Sequence, residues 1–345
     1  LSLSLVLVFA GLRDTVSNIL DRQYGTVDRS DGQLYAIAGQ SGNVLAAARA
    51  DPDVAAADPF SRTDVTLTAG DHRYDTLLMG LPTETTMHRF VSTEGPDLTL
   101  PPAGGLLLGR GLQRLLSVRV GDDVTITAAD GTRITEPVAA FVDEPLTAVA
   151  YASLEHLDGV LGRPTATGAL VQLRPGASGD EVAHRLGALP GAAAYFDNAA
   201  LEQSMRDAFG IMDALLGVML AFAAVMAVAL LYNAMSANLA ERSVELGTLN
   251  ASGMTRGLLG RLVAAENLLL TVVGIPIGLV VGLGLARWFM SNYENLGYQW
   301  QLRMQPSTLV YVCLAVLLAS LLSQLPVLRG LRHIDVAAIV RERSL

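Results

Sequence analysis

The sequence predicts a membrane α-helical protein of four spans, the first truncated, with an extracytoplasmic α+β domain inserted after that first span. Three observations carry the prediction. Of 345 residues, 51% are hydrophobic and only 17% charged, which is too apolar for an ordinary soluble domain. Three long uncharged runs lie in the second part of the chain. The charge is also uneven: residues 22–206 hold 23 acidic residues and 14 arginines (net −9), whereas residues 207–345 hold 8 and 9 (net +1).

The chain opens on an apolar stretch, Leu1–Leu12, that stops at Arg13-Asp14. Twelve residues are too few to span a bilayer, and no basic n-region or small-residue cleavage site marks a signal peptide. Residues 1–21 therefore read as the end of a truncated first transmembrane helix.

Residues 22–206 alternate short strands and helices. Asp64–Thr68 alternates polar and apolar residues, as a half-buried strand does. Val124–Thr127 and Thr132–Thr135 flank Asp130-Gly131, a β-hairpin signal. Ser178-Gly-Asp-Glu181 reads as a capping box opening a helix through Leu189, with strands near Leu170–Leu173 and Ala193–Phe196 on either side. The domain offers little chemistry. Asp71-His72 and Asp75 read as a solvated loop, and His88, His156 and His184 as structural histidines. No H-E-x-x-H or G-x-S-x-G occurs. A binding or force-transmitting module is expected, with no catalytic residue, cofactor or metal.

Residues 207–345 hold the spans. Ala214–Leu231 and Leu268–Leu285 each run 18 residues without a charge, and Leu309–Leu328 runs 20. At 1.5 Å per residue these reach roughly 27–30 Å, the thickness of a hydrocarbon core. Arg242, Arg256 and Arg261 follow the second span, and Arg329, Arg332, Arg341 and Arg343 follow the fourth, which places both segments in the cytoplasm. Trp288, Tyr293, Tyr298 and Trp300 mark an outer interface between the third and fourth. The acidic domain is then outside, and the protein a multi-pass protein of the plasma or inner membrane. Gly274, Gly278 and Gly282 recur every four residues, a spacing that admits a close helix neighbour, and Cys313 reads as a small packing residue.

Composition excludes several functions. A single cysteine leaves no internal disulfide and no Cys-rich metal site. All 24 basic residues are arginine, so there is no Walker A lysine and no Schiff-base lysine; the chain is not a P-loop ATPase by itself. An acidic outer domain is also a poor partner for nucleic acid.

After the second span, residues 236–261 form an amphipathic segment. Glu241, Arg242 and Glu245 share its polar side, with Arg242 spaced to pair with Glu245 at i,i+3. Gly253 suits a helix C-terminus and Thr255 the N-cap of the next helix, which re-enters the membrane near Glu266. Arg242-x-x-Glu245-x-Gly247-x-Leu249, then Ala251-Ser-Gly253-Met-Thr, then Glu266 entering a Gly-rich span, resembles the FtsX-like permease domain of ABC transporters. The tail Leu328–Arg341 looks like that domain's ending, and Gly105–Ile126 is similar to the MacB-like periplasmic core. The resemblance implies an export or mechanotransmission permease driven by an ATP-binding subunit in trans. Its coupling element would hold Glu241, Arg242, Glu245 and Gly253. The further partners implied are a second permease cassette or protomer, membrane lipid and an extracytoplasmic protein. Two alternatives belong to other classes: a division-type regulator of a cell-wall hydrolase, and a membrane-anchored enzyme acting through its outer domain. A four-span homodimer subunit and one cassette of a two-cassette permease both fit the sequence.

Overall fold

The computed structural model describes residues 2–92, 95–144, 148–242, 248, 252–294 and 304–331. Two units separate: Val16–Gly210 with Ser291–Gln301, and Leu1–Thr15 with Ile211–Met290 and Leu302–Leu345. Helix α1 (Ser2–Arg22) and helix α6 (Asn198–Glu241) each contribute residues to both.

The α+β unit is organised by one long strand, β2 (Val54–Ala69). Before it come β1 (Gly32–Ala36) and α2 (Ser41–Ala50); after it come β3 (His72–Leu81), β4 (Leu106–Gly109), α3 (Arg110–Leu116), β5 (Asp123–Ala128) and β6 (Arg133–Val142). Then follow β7 (Ala150–Ser153), α4 (Leu154–Leu161), β8 (Gly168–Leu173), α5 (Gly179–Gly187) and β9 (Ala192–Asp197). The strand order is β3-β7-β4-β6-β5-β2-β8-β1-β9, and β3 also pairs with β2. The extra pairing closes six strands into a barrel and leaves β9-β1-β8-β2 as a second sheet sharing β2. With α2 and α5, that second sheet has the β-α-β, β-α-β order of a split ferredoxin-like fold. The barrel is inserted between its halves.

Strand β2 serves both lobes because its two ends find different partners. Val54–Phe60 pairs with β8, while Ser61–Ala69 pairs with β3 and Val65–Thr68 also with β5. The alternation expected for Asp64–Thr68 is therefore only the barrel end of a 16-residue strand. Pro59, which has no N–H to give a ladder, sits next to the junction, in register with Ala169. Close approach there demands glycine: a Cβ on Gly168 would lie 2.2 Å from the Leu34 carbonyl oxygen.

Each lobe has its own core. Val65, Leu67, Leu106, Leu108, Val124, Ile126 and Val138 fill the barrel with Leu112 of α3 and Leu157 of α4. Leu34, Val44, Ala48, Val171, Val182 and Leu186 join the second sheet to α2 and α5. A third cluster, including Phe60, Met87, Phe90, Leu107 and Tyr151, packs the segment after β3 against the sheet.

Two local expectations change and one is met. Residues 72–75 are not a solvated loop; they begin β3, and only Gly70 and Asp71 form the turn. Ser178 does precede α5, but its side chain makes no capping bond, and α5 stops at Gly187 rather than Leu189. The hairpin at Asp130-Gly131 does form, with Gly131 at φ +84 and the Asp130 carboxylate accepting from the Thr132 N–H at 2.9 Å.

The second unit is helical: part of α6, α7 (Arg256–Glu294) and α8 (Pro306–Leu331), with the start of α1. Among the described residues, Gly260–Phe289 is long and apolar enough to cross a membrane, and Pro306–Leu322 is a shorter apolar helix. The apolar run Ala214–Leu231 lies within α6.

Candidate functional site

The polar end of the helical unit lies where α6 gives way to α7. Helix α6 stops at Glu241, and Gly253 adopts φ +96, a left-handed turn that glycine makes without steric cost. The Ser252 N–H and hydroxyl both donate to the Thr248 carbonyl, at 2.9 and 2.8 Å. Thr255 directly precedes the first residue of α7, and the Leu258 N–H donates to its carbonyl.

Across this hairpin, Arg242 Nη1 donates to both carboxylate oxygens of Glu266, at 3.0 and 2.9 Å. The pair joins the end of α6 to the third turn of α7. Both side chains are about half exposed (49% and 45%), so the pair contributes little to folding and chiefly sets the hairpin's geometry. The spacing argument had given Arg242 to Glu245, which lies outside the described residues. The sequence places Arg242 in the segment after the second span and Glu266 where the next helix re-enters the membrane, and at 24 positions apart they share no helical periodicity that would pair them. Glu241 is exposed beside them.

Helix α7 has two unlike faces. Thr271, Ile275, Gly278, Leu279, Gly282 and Ala286 are buried or half-buried at helical spacing, whereas Leu269, Val273, Ile277, Val280 and Val281 are exposed. Gly278 and Gly282 lie on the packed face. Gly274 is exposed, and a Cβ there would meet nothing within 4 Å. Leu279 packs against the buried pair Leu7 of α1 and Val312 of α8, as do Val6 and Val316. Two polar contacts lock this packing, neither of them visible as a motif. The hydroxyls of Thr271 and fully buried Ser320 lie 2.8 Å apart, joining α7 to α8. The Asp14 carboxylate of α1 accepts from the Gln305 N–H (3.0 Å) and the Thr308 hydroxyl (2.7 Å), capping the positive end of α8. The apolar side chains left outside on α6, α7 and α8 form surface that a water-soluble monomer rarely exposes.

The histidines of the α+β unit are partnered or solvated. His88 Nε2 lies 3.2 Å from Glu144 Oε1 in a buried pair, His156 Nε2 lies 2.7 Å from Glu136 Oε1, and His184 is exposed on α5. Beside His88, the Asp28 carboxylate accepts from Ser30 and from Asn198 Nδ2; burial pushes its pKa up, against those hydrogen bonds and His88. Burial, then the Glu144 charge, holds the Tyr151 phenol well above its ordinary value. Among the described residues, no group of three or more His, Cys, Asp or Glu is placed to hold a metal ion.

Residues 217–336 match the family model of the FtsX-like permease C-terminal domain. This part of the chain is similar to FtsX-like permease domains. The matched stretch contains the Arg242–Glu266 pair, the packed face of α7 and all of α8. No curated protein sequence matches the chain. Two solved structures show partial similarity to the chain. The periplasmic region of MacB from Actinobacillus actinomycetemcomitans is 12% identical at a TM-score of 0.36, covering 55% of this chain and 98% of that one. The extracellular domain of the noncanonic ABC-type transporter YknZ from Gram-positive bacteria is 13% identical at a TM-score of 0.35, covering 48% and 97%.

Proposed function

We propose that this chain is the permease subunit of an ABC transporter of the export or mechanotransmission type. ATP hydrolysis by a separate subunit would move α6 and α7, and through α6 work the α+β domain outside the cell membrane. The observation that carries the reading is the Arg242–Glu266 pair, which lies inside the permease-domain match and ties two apolar helices together at their polar end. These 345 residues hold no lysine for a nucleotide-binding loop, and the proposal has work enter through a protein contact. The contact residues are Glu241, Arg242, Glu245 and Gly253. A hydrophobic helix needs its partners in the bilayer as well, and the small-residue face at Gly278 and Gly282 serves the packing of one permease cassette. A second cassette or protomer would complete the assembly, four spans to each.

The export reading rests on the outer unit: a barrel and a split sheet of some 190 residues offer large binding surfaces. No observation favours the hydrolase-regulator reading. The test is reconstitution of the chain with its ATP-binding subunit in lipid nanodiscs. Stimulated ATP hydrolysis that responds to changes in the outer unit is expected, and an ATPase indifferent to the chain would refute the proposal.

A further inference from the structure

A cleft of about 510 Å³ opens between the two lobes of the α+β unit. Its floor is one end of the barrel core: Val65 of β2, Leu78 of β3, Ile126 of β5 and Leu157 of α4, all buried. One wall is the turn Ala36–Gly39 after β1, and the other is the segment Pro164–Thr167 that leads into β8. A barrel of few strands is ordinarily filled by its own side chains. Here α4 covers only part of the opening, ending at Gly162, whose left-handed turn (φ +62) precedes Arg163 at the cleft.

The lining has a definite chemistry. Its floor is hydrocarbon without a donor or acceptor. Beside it Ile37, a large apolar side chain, is left 55% exposed. The charged groups of the lining are Asp130 and Arg163, paired at 3.1 Å with side chains 51% and 64% exposed. A pair so exposed is weakened by water and salt, so another anion can take the place of Asp130 at the guanidinium fork. The volume lies in the range that encloses small organic ligands.

We propose that this cleft binds a single-chain anionic amphiphile, a long-chain carboxylate or phosphate monoester, with its hydrocarbon on the Val65–Leu78–Ile126–Leu157 floor and its head at Arg163. The hydrocarbon finds a dry apolar surface, the head finds a bidentate cation, and a bound molecule touches both lobes. The assignment stands apart from the coupling reading, because it needs neither the ATPase nor the membrane arrangement.

The test uses the full chain in phosphatidylcholine nanodiscs with a photoactivatable fatty acid carrying a diazirine near its chain end. One arm adds the free acid to the aqueous phase. The other places the same chain on lysophosphatidic acid, a single-chain phosphate monoester, in the bilayer. Labelled peptides are mapped by mass spectrometry. Labelling of peptides that contain Ile126 or Leu157, displaced by unlabelled fatty acid, is expected, and the arm that gives it identifies the source. Arg163→Glu should lower this labelling about tenfold, the scale of one lost charge-assisted contact, while the methyl ester of the probe should bind wild type no better than the acid binds the variant. Ala128→Trp, which fills the cleft from β5, should abolish it. If Ala128→Trp does not fold, Arg163→Glu at its exposed position decides alone. Labelling confined to α7 and α8 in both arms would overturn the proposal. So would cleft labelling that Arg163→Glu leaves unchanged, the result expected if the cleft instead receives an apolar side chain of a partner protein.

Discussion

Reversing one charge of the hairpin separates a coupling role from a folding role. In Glu266→Arg, the bidentate contact to Arg242 at 2.9–3.0 Å becomes a repulsion between two guanidinium groups. At about 4 Å, unit charges interact by about 1 kcal/mol in water and about 4 kcal/mol at a protein surface of intermediate dielectric. Side chains that are 45–49% exposed lie toward the aqueous limit, where measured pairs contribute about 0.2–1 kcal/mol. Losing the attraction and adding a comparable repulsion costs roughly 1–2 kcal/mol, confined to the hairpin. Expression and membrane insertion should therefore be unchanged. An ATPase that needs the hairpin in one geometry should feel that cost in full, and about 1.4 kcal/mol is tenfold in an equilibrium. Stimulated ATP hydrolysis in nanodiscs should fall about tenfold, and Arg242→Glu with Glu266→Arg should recover most of it by restoring the pair in reverse. Wild-type stimulation by Glu266→Arg alone would refute the reasoning.

Other outcomes follow from the packing. Gly168→Ala should destabilise the α+β unit by roughly 1–3 kcal/mol, since its Cβ would meet backbone and the ring of Phe60; thermal unfolding should show a fall of about 2–4 °C per kcal/mol. Gly282→Leu, on the packed face of α7, should impair assembly of the helical unit, whereas Val280→Ala, 73% exposed, should not; a cross-linking or thermal aggregation assay compares them. The hydrogen bonds from Arg185 hold the Asp51 carboxyl below its ordinary value. Its contribution is therefore fully present above that value and lost as pH falls through the lowered one. Arg185→Gln should remove this acid-side step from the pH dependence of unfolding by slightly lowering stability at neutral pH, with stability at the acid end unchanged.

Much of the molecule is legible in the sequence because its signals are local. The apolar runs, the Asp130-Gly131 hairpin, the strands at Leu170 and Tyr195 and the left-handed Gly253 each depend on residues near them in the chain. What stayed hidden depends on partners far away. The barrel closes only because β2 pairs at once with β3 and β5, and nothing in β2 alone announces a strand that bends between two sheets past Pro59. Helical spacing pointed Arg242 to Glu245, and its contact with Glu266, 24 positions on, comes only with the folded chain. Likewise, Asp14 caps a helix almost 300 residues away, and its sequence neighbours suggest only a charged helix end. The cleft near Arg163 has no motif at all, since its floor and its rim come from five separate segments.

The proposed function requires the α6–α7 hairpin and the α+β unit to lie on opposite sides of one membrane. The direct measurement is cysteine labelling of intact cells with an impermeant reagent, in a Cys313→Ala background, with Asp130→Cys and Ser252→Cys made separately. Labelling at 130 in intact cells, and at 252 only after the membrane is opened, is the expected result. Labelling at 252 in intact cells, or the same accessibility at both positions, would contradict a cytoplasmic coupling hairpin beneath an extracytoplasmic domain.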